Sequence, residues 1–422
     1  MAGGRFLIHH VMPASLFPYG SKLSVGLECC DGVVVSNFVF GREQSSVDFC
    51  KANSSCFQGN VDCVLLEVHG SENGGEELDI LFEFASRFSK GESNEQGGSL
   101  VVIIHRPEEF ILRTAHTKQM SVSEAKELLS SKLCDVGHVV LLLETAIEDL
   151  GYSTMLPGRV SAIPHGAFAA QEVSLEDWRV SKDSVVFVGS RTTWGEMRNV
   201  SDVLSLVEEV NTQNPELKVV GYAAGSFDKR ICLDDFEKDS RYLVLKNSVI
   251  LEASPFPSEQ SFREWVWKTG AGRVIVRPDS FEGSEYQQLT LWEGQCVDFN
   301  VQMYHENPDL AYLREDPKAP KYEASGTLHQ GKAEIFIVSD SPCMRQDVSG
   351  REGYQMLFVP FCDRVFNYAS AASEIAGVIK SPAHRLTMLE SNFQVSLSLG
   401  MKEVASRYLQ LMRSLVSGAK LA

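Results

Sequence analysis

The sequence predicts an α/β protein built from two doubly wound, Rossmann-like domains. Three observations carry this. The chain has 422 residues, more than one hydrophobic core normally organises, so two domains of about 200 residues each are expected. Its strand candidates are continuous apolar runs, as in strands covered on both faces, and helical patterns separate them. The alternation pauses at a polar, acidic stretch from Ala167 to Asp183 and restarts at Val185. Strand–helix–strand repetition implies right-handed crossovers and a parallel sheet in each half.

The elements follow in order. Arg5 to Val11, Val61 to Val68, Ser99 to His105, His138 to Glu144 and Val160 to Ile163 are the strand candidates of the first half. Glu77 to Phe88 places Leu78, Leu81, Phe82 and Phe84/Ala85 at helical spacing. Gly91 to Gly98 is a polar loop. In the second half, the strand opening at Val185 leads through Gly189 into a helix striped by Val200, Val203/Leu204, Val207 and Val210. Asn214-Pro215 stops that helix before a strand from Lys218 to Tyr222. Within 226–320 only Arg273 to Val276 reads as a strand, and Tyr304 to Lys321 reads as an irregular loop. Ile335 to Val338 is a buried strand, and Ala371 to Leu415 is helical by periodicity. These patterns set the domains at 1–170 and 171–390, with a C-terminal helix in 391–422.

Composition narrows the class. Hydrophobic residues make up 44% and charged residues 23%, as in a soluble globular protein. No apolar run reaches the ~20 residues of a membrane span, and the N-terminus lacks a secretory pattern. A cytoplasmic protein is therefore expected. The net charge of -17 argues against nucleic acid as a general surface partner. The cysteines show neither a CxxC pair nor zinc spacing, and Cys63, Cys134 and Cys362, in or beside apolar runs, read as reduced core thiols. Phosphate-loop, nucleophile-elbow, HExxH and EF-hand motifs are absent.

Some residues stand out against this background. Gly189, Ser190 and Arg191 follow an apolar strand and precede an amphipathic helix, with Arg198 further on. A glycine turn there offers backbone N–H groups and positive charge to a diphosphate; by residues alone it is equally a turn with two surface arginines. Ser325, Gly326 and Thr327 combine hydroxyls with a glycine, either a phosphate cradle or a helix cap. His105 and His165 each stand at a strand exit, where a side chain enters any crevice, and His69 is a third such residue. Histidine there suits hydrogen bonding to sugar hydroxyls or to a developing charge. His9, His10 and His116 have no such context. Glu323 is the best carboxylate candidate, while Glu72 to Asp79 and Asp234 to Asp239 read as solvated faces.

The runs SLVVIIHRP, VSAIPHG, VVFVGSR with the following PELKVVGYAAG, and ASGTLHQG followed by IFIVSDSPCMRQDV and GYQMLFVPFCD resemble those of GT-B glycosyltransferases. The similarity is to the large retaining family 4, the "group 1" type, and spans residues 60 to 415 diffusely. The resemblance implies two Rossmann-like domains facing each other across a cleft, the first on the acceptor side and the second binding the nucleotide sugar. It implies no cofactor and no metal, with a nucleotide diphosphate sugar as donor substrate and a carbohydrate or other small molecule as acceptor. His105 then contacts the transferred sugar. Gly189 and Arg191 contact the diphosphate, Glu323 is the leading acidic residue, and Ser325, Gly326 and Thr327 lie beside the phosphates. The family's second glutamate falls on Gly331, its lysine on Glu196, and its glycine-rich acceptor loop has only Pro18-Tyr19-Gly20 as a counterpart. Those departures keep a second expectation open: a catalytically inactive GT-B protein acting as a binding or partner subunit.

Overall fold

The computed structural model describes residues 5–41, 48–49, 52–53, 61–69, 74–89, 99–134, 136–166, 186–191, 200–217, 219–224, 249–251, 261, 264–265, 268–271, 273–276, 298–303, 310, 312–314, 335–340, 353–362 and 365–418. It divides into two compact units. The first is Met1–Ala170 with Asp309–Gly331 and Ser396–Ala422; the second is Gln171–Pro308 with Lys332–Val395. The segment Asp309–Gly331, which the sequence pattern leaves inside 171–390, groups with the first unit. Two described contacts hold it there: Arg314 Nε donates to Glu108 Oε1 at 2.9 Å, and the Tyr312 hydroxyl lies 2.8 Å from His116 Nδ1.

The first unit is organised by a parallel sheet of β1 (Phe6–Pro13), β2 (Val33–Phe40), β3 (Cys63–Val68), β4 (Ser99–Ile104), β5 (His138–Leu141) and β6 (Val160–Ala162). The strand order is β2-β1-β3-β4-β5-β6, so the chain turns one way from β1 and the other way into β3. β3 is buried along its whole length, which is why its sequence is continuous rather than alternating. Helices α1 (Phe17–Glu28), α2 (Gly74–Ser89), α3 (Pro107–Lys118) and α4 (Val122–Leu133) cover the sheet, with short α5 (Thr145–Asp149) and α6 (Tyr152–Met155) following β5. A capping box starts α4: Ser121 Oγ accepts from the Glu124 N–H, and the Glu124 carboxylate accepts from the Ser121 N–H.

The second unit carries β7 (Val186–Arg191), β8 (Val219–Ala224), β9 (Val249–Leu251), β10 (Arg273–Val276), β11 (Phe299–Gln302), β12 (Ile335–Asp340), β13 (Met356–Cys362) and β14 (Val365–Phe366). Their order is β14-β13-β12-β11-β7-β8-β10-β9, parallel throughout except for antiparallel β14. Helix α7 (Val200–Gln213) lays Val203, Leu206, Val207 and Val210 on this sheet beside α8 (Tyr368–Lys380). The Tyr368 hydroxyl donates to Asp202 at 2.5 Å and joins the two helices. Helix α9 (Pro382–Ser398) presents Asn392, whose amide accepts from the Gln355 N–H and donates to the Gln355 carbonyl, mimicking a strand partner just before β13.

Helix α10 (Met401–Val416) belongs to the first unit, where Val404, Ala405, Tyr408 and Met412 join the core against α1. Close approach here depends on Gly26, where a Cβ would stand 3.0 Å from the Met401 carbonyl oxygen and 3.1 Å from Ala405 Cβ. Of the cysteines read as core thiols, Cys63 is buried but Cys134 is exposed, because it follows the end of α4 instead of continuing an apolar face. Among the described residues no helix is long and apolar enough to cross a membrane.

One buried group makes the first unit acid-sensitive. His138 opens β5 with its Nε2 2.9 Å from Ser161 Oγ on the neighbouring strand. Burial lowers its pKa to about 4 from 6.5, so between those values the unfolded chain binds a proton that the folded one refuses. Stability from this group is therefore complete above pH 6.5 and lost as the pH falls towards 4, with a limiting slope of about 1.4 kcal/mol per pH unit. His138→Gln is expected to remove that component. Unfolding curves between pH 4 and 7 that stay parallel for the two proteins would contradict it.

Candidate active site

In parallel sheets, side chains that end strands near a change of strand direction define the usual ligand crevice. In the first unit that point lies between β1 and β3. The core face there follows period two: Ile8, His10 and Met12 on β1, Cys63, Leu65 and Glu67 on β3, then Val101, Ile103 and His105 at and after β4. Register places His10 beside Leu65 and Glu67 beside Ile103, so Glu67 lies between a histidine one rung back and another one rung ahead. Its two oxygens go to different rings. His10 Nε2 donates to Oε1 at 2.7 Å and His105 Nε2 to Oε2 at 2.9 Å.

Glu67 and His10 are completely buried, and His105 is nearly so. Burial alone pushes the Glu67 pKa upwards, but the hydrogen bonds and charge of the two histidines outweigh it and hold the carboxyl down at about 2. An ionised carboxylate only accepts, which requires the proton on Nε2 of both rings. Ser24 Oγ lies 2.7 Å from His10 Nδ1 and donates to Asn37 Oδ1 at 2.6 Å, steadying the far side of that ring. The carboxylate also lies against α1 beside Gly20. Gly20 makes this possible, since a Cβ there would stand 2.4 Å from Met12 Sδ and 2.9 Å from Glu67 Oε1.

Around His105 the packing is aromatic. Tyr19 of α1 meets His105 edge-on with ring centres 5.4 Å apart and His165 at 4.4 Å. The two histidines lie 5.1 Å apart. Burial, and then the Glu67 charge, raise the Tyr19 pKa far above its usual value, so this phenol stays neutral. Tyr408 of α10 is raised by burial and by Tyr19 and Glu67, and its hydroxyl has no hydrogen-bond partner among the described residues. His105 itself is fixed by its backbone N–H, which donates to the Val68 carbonyl at 3.0 Å.

The sequence candidates are distributed as follows. His105 and His165 come together. His69 stands just past β3, where its backbone N–H donates to Glu77 Oε2 at 3.0 Å. Gly189, Ser190 and Arg191 were expected in a turn after a strand, but they are the last residues of β7 itself. They pair there with Tyr222, Ala223 and Ala224 of β8, and Gly189 also pairs with Asn300 of β11. The strand runs on because β8 continues beside it as far as Ala224. In this sheet too the chain changes direction at β7, between β8 and β11. Arg198, Glu323, Ser325, Gly326 and Thr327 lie outside the described residues. Pro18-Tyr19-Gly20, the loop counterpart, lies in the first turn of α1.

Sequence reasoning missed Glu67 and His10. The available signal was period two: a glutamate at the inward position of an otherwise apolar strand, and a histidine two residues after Ile8.

No protein-family model matches the chain, and a search of curated proteins gives no match. Solved structures do. A UDP-forming α,α-trehalose-phosphate synthase from Burkholderia xenovorans is 9% identical, with 97% of this chain and 99% of that one covered at a TM-score of 0.56. Sucrose-phosphate synthase from Thermosynechococcus elongatus is 12% identical, with 98% and 100% covered at 0.57. A trehalose-6-phosphate structure from E. coli bound with UDP-2-fluoro glucose is 10% identical, with 96% and 99% covered at 0.56. The chain has the GT-B fold. Both parallel sheets are accounted for by this one architecture.

Proposed function

We propose that this chain is a glycosyltransferase, moving a sugar from a nucleotide diphosphate sugar to a carbohydrate or other small acceptor with retention of configuration. The observation that carries this reading is the extent of the likeness, which covers nearly all of this chain and of structures described as UDP-forming synthases or as bound to a UDP-sugar. The positions of the candidate residues support it. Gly189, Ser190 and Arg191 end β7 where the second sheet changes direction, a standard place for a dinucleotide or nucleotide phosphate.

In this reading Arg191, with Arg198 and the backbone and hydroxyl groups of Ser325, Gly326 and Thr327, carries the charge that grows on the leaving diphosphate. Such preorganised stabilisation is usually the largest catalytic contribution. Glu323 accepts from the donor's hydroxyls, His105 contacts the transferred sugar, and His69 and His165 contribute to substrate binding. No metal takes part, and the enzyme works in the cytoplasm. The test is calorimetry with UDP- and GDP-sugars, followed by product analysis with sugar and sugar-phosphate acceptors. Nucleotide release coupled to a new glycoside supports the reading.

Arg191→Ala is expected to weaken nucleoside diphosphate binding about 10- to 100-fold, the value of a charge-assisted hydrogen bond or two. Unchanged affinity removes Arg191 from the site. A second reading is favoured by Gly331 and Glu196, which stand where the resembled family has a glutamate and a lysine: an inactive GT-B chain serving as a binding or partner subunit. Nucleotide binding without turnover, or no binding at all, selects it.

A further inference from the structure

We infer that Glu67 is the positioning residue for His105, fixing which ring nitrogen that histidine offers to the transferred sugar. The inference rests on the glycosyl-transfer reading above, in which His105 meets the sugar. Glu67 itself is too deeply buried to touch a substrate, and both its oxygens are committed, one to His10 and one to His105. It therefore acts through the rings.

The geometry specifies how. Glu67 is ionised and accepts only, so His105 carries its proton on Nε2 and presents Nδ1 on the opposite side of the ring. In its neutral form, His105 held this way accepts a hydrogen bond from a sugar hydroxyl through Nδ1; the opposite tautomer turns a donor towards the same place and loses that bond. Ring orientation is set by the same contact, together with the edge of Tyr19 and the backbone anchor to Val68. His10 supplies the counterpart. Tied to Ser24 on one side and to the carboxylate on the other, it stops the Glu67 side chain from turning away from His105. The network joins β1, β3 and β4, so His105 is located by three strands rather than by its own rotamer.

Glu67→Gln tests this while keeping the side-chain shape. The amide has one accepting oxygen and one donating nitrogen, so it cannot accept from both histidines. One ring must then present an unprotonated Nε2, with its remaining proton on Nδ1. Nitrogen-15 NMR of histidine-labelled full-length chain reads the tautomer of each ring directly, with His105 assigned by comparison with His105→Gln. In the wild type His105 is expected to carry its proton on Nε2. In E67Q the His10–His105 pair is expected to show one ring switched. The turnover number should fall about 10- to 100-fold, as for other outer partners of functional histidines, while KM for the nucleotide sugar changes less than threefold. Glu67→Asp, which keeps the charge, is expected to recover the tautomer and part of the turnover.

Several results overturn the proposal: a wild-type His105 protonated on Nδ1, two unswitched rings in folded E67Q, or an E67Q turnover number within twofold of wild type. Should E67Q not fold, the wild-type spectrum still decides the tautomer. Ser24→Ala, which frees His10, is then expected to lower turnover about threefold with KM unchanged, and unaltered turnover counts against the proposal. Wild-type chain that transfers no sugar from any nucleotide donor defeats the transferase reading instead, and the spectra tell that failure apart from an incorrect role for Glu67.

Discussion

Glu67→Ala is expected to destabilise the first unit by about 3–5 kcal/mol, the usual cost of removing one member from a buried charged network. The loss has two sources. His10 and His105 keep Nε2–H groups in an interior that offers them no other acceptor among the described residues, at about 1–3 kcal/mol for each unpaired group. The missing methylene and carboxylate also leave a void under α1, which Gly20 already brings close to Met12. The pH dependence has a definite sign. The folded carboxyl is held at about 2 against an ordinary 4.5, so its contribution is complete above pH 4.5 and is lost as the pH falls towards 2. The deficit of E67A should therefore shrink in acid.

A further variant separates stability from purpose. Replacing His10, Glu67 and His105 together by leucine removes every polar group at once, and the first unit should then recover most of the lost stability or exceed wild type. That outcome would mean the network is retained for what it positions, at a cost to the fold. All five tryptophans, at positions 178, 194, 265, 267 and 292, fall in the range Gln171–Pro308 of the second unit. Tryptophan fluorescence therefore follows that unit, and the part of the far-ultraviolet transition that fluorescence misses follows the first. A first-unit transition in E67A within 1 kcal/mol of wild type would show that the network contributes little.

Much of the fold was legible because apolar continuity is a direct consequence of burial on both faces. β3, β4 and β5 carry that mark, and so did α2 and α7 through their stripes. The misses have physical reasons. β2 lies at the sheet edge with Ser36, Asn37 and Val39 exposed, so it shows no continuous run. α1 contains Pro18, Gly20 and Gly26, which read as loop punctuation. In the structure Pro18 occupies the permissive first turn, and the two glycines let the helix approach Glu67 and α10. Glycine serves packing there rather than turning.

The site divides in the same way. His105 and His165 were visible because strand ends can be located from sequence, although each belongs to a different strand exit. Glu67 was passed over because glutamate is solvated by default, and only the two histidines from other strands make its burial tolerable. His10 had no local context because its partners, Ser24 and Glu67, are 14 and 57 positions away. A polar network assembled from three strands leaves no contiguous motif.

Arg385→Ala is the corresponding experiment for the second unit, with an expected loss of about 3 kcal/mol or more. Arg385 in the first turn of α9 donates to Asp298 Oδ1 at 2.6 Å, with side-chain exposures of 5% and 13%, and its guanidinium lies 5.1 Å from the centre of the Phe299 ring. An almost buried pair of this kind contributes little net energy when intact, yet costs several kcal/mol when broken, because the remaining carboxylate keeps its desolvation without its partner. Arg385→Met combined with Asp298→Leu removes both charges and should return close to wild-type stability. The location ties the result to function. Asp298 immediately precedes β11, whose Asn300 is in register with Gly189 at the end of β7. In the glycosyl-transfer reading, loss of the pair should therefore lower the tryptophan-monitored transition and weaken nucleotide binding together, while the double variant restores both. A single mutant whose fluorescence transition stays within 0.5 kcal/mol of wild type would show that α9 is anchored by its apolar face and Asn392 alone.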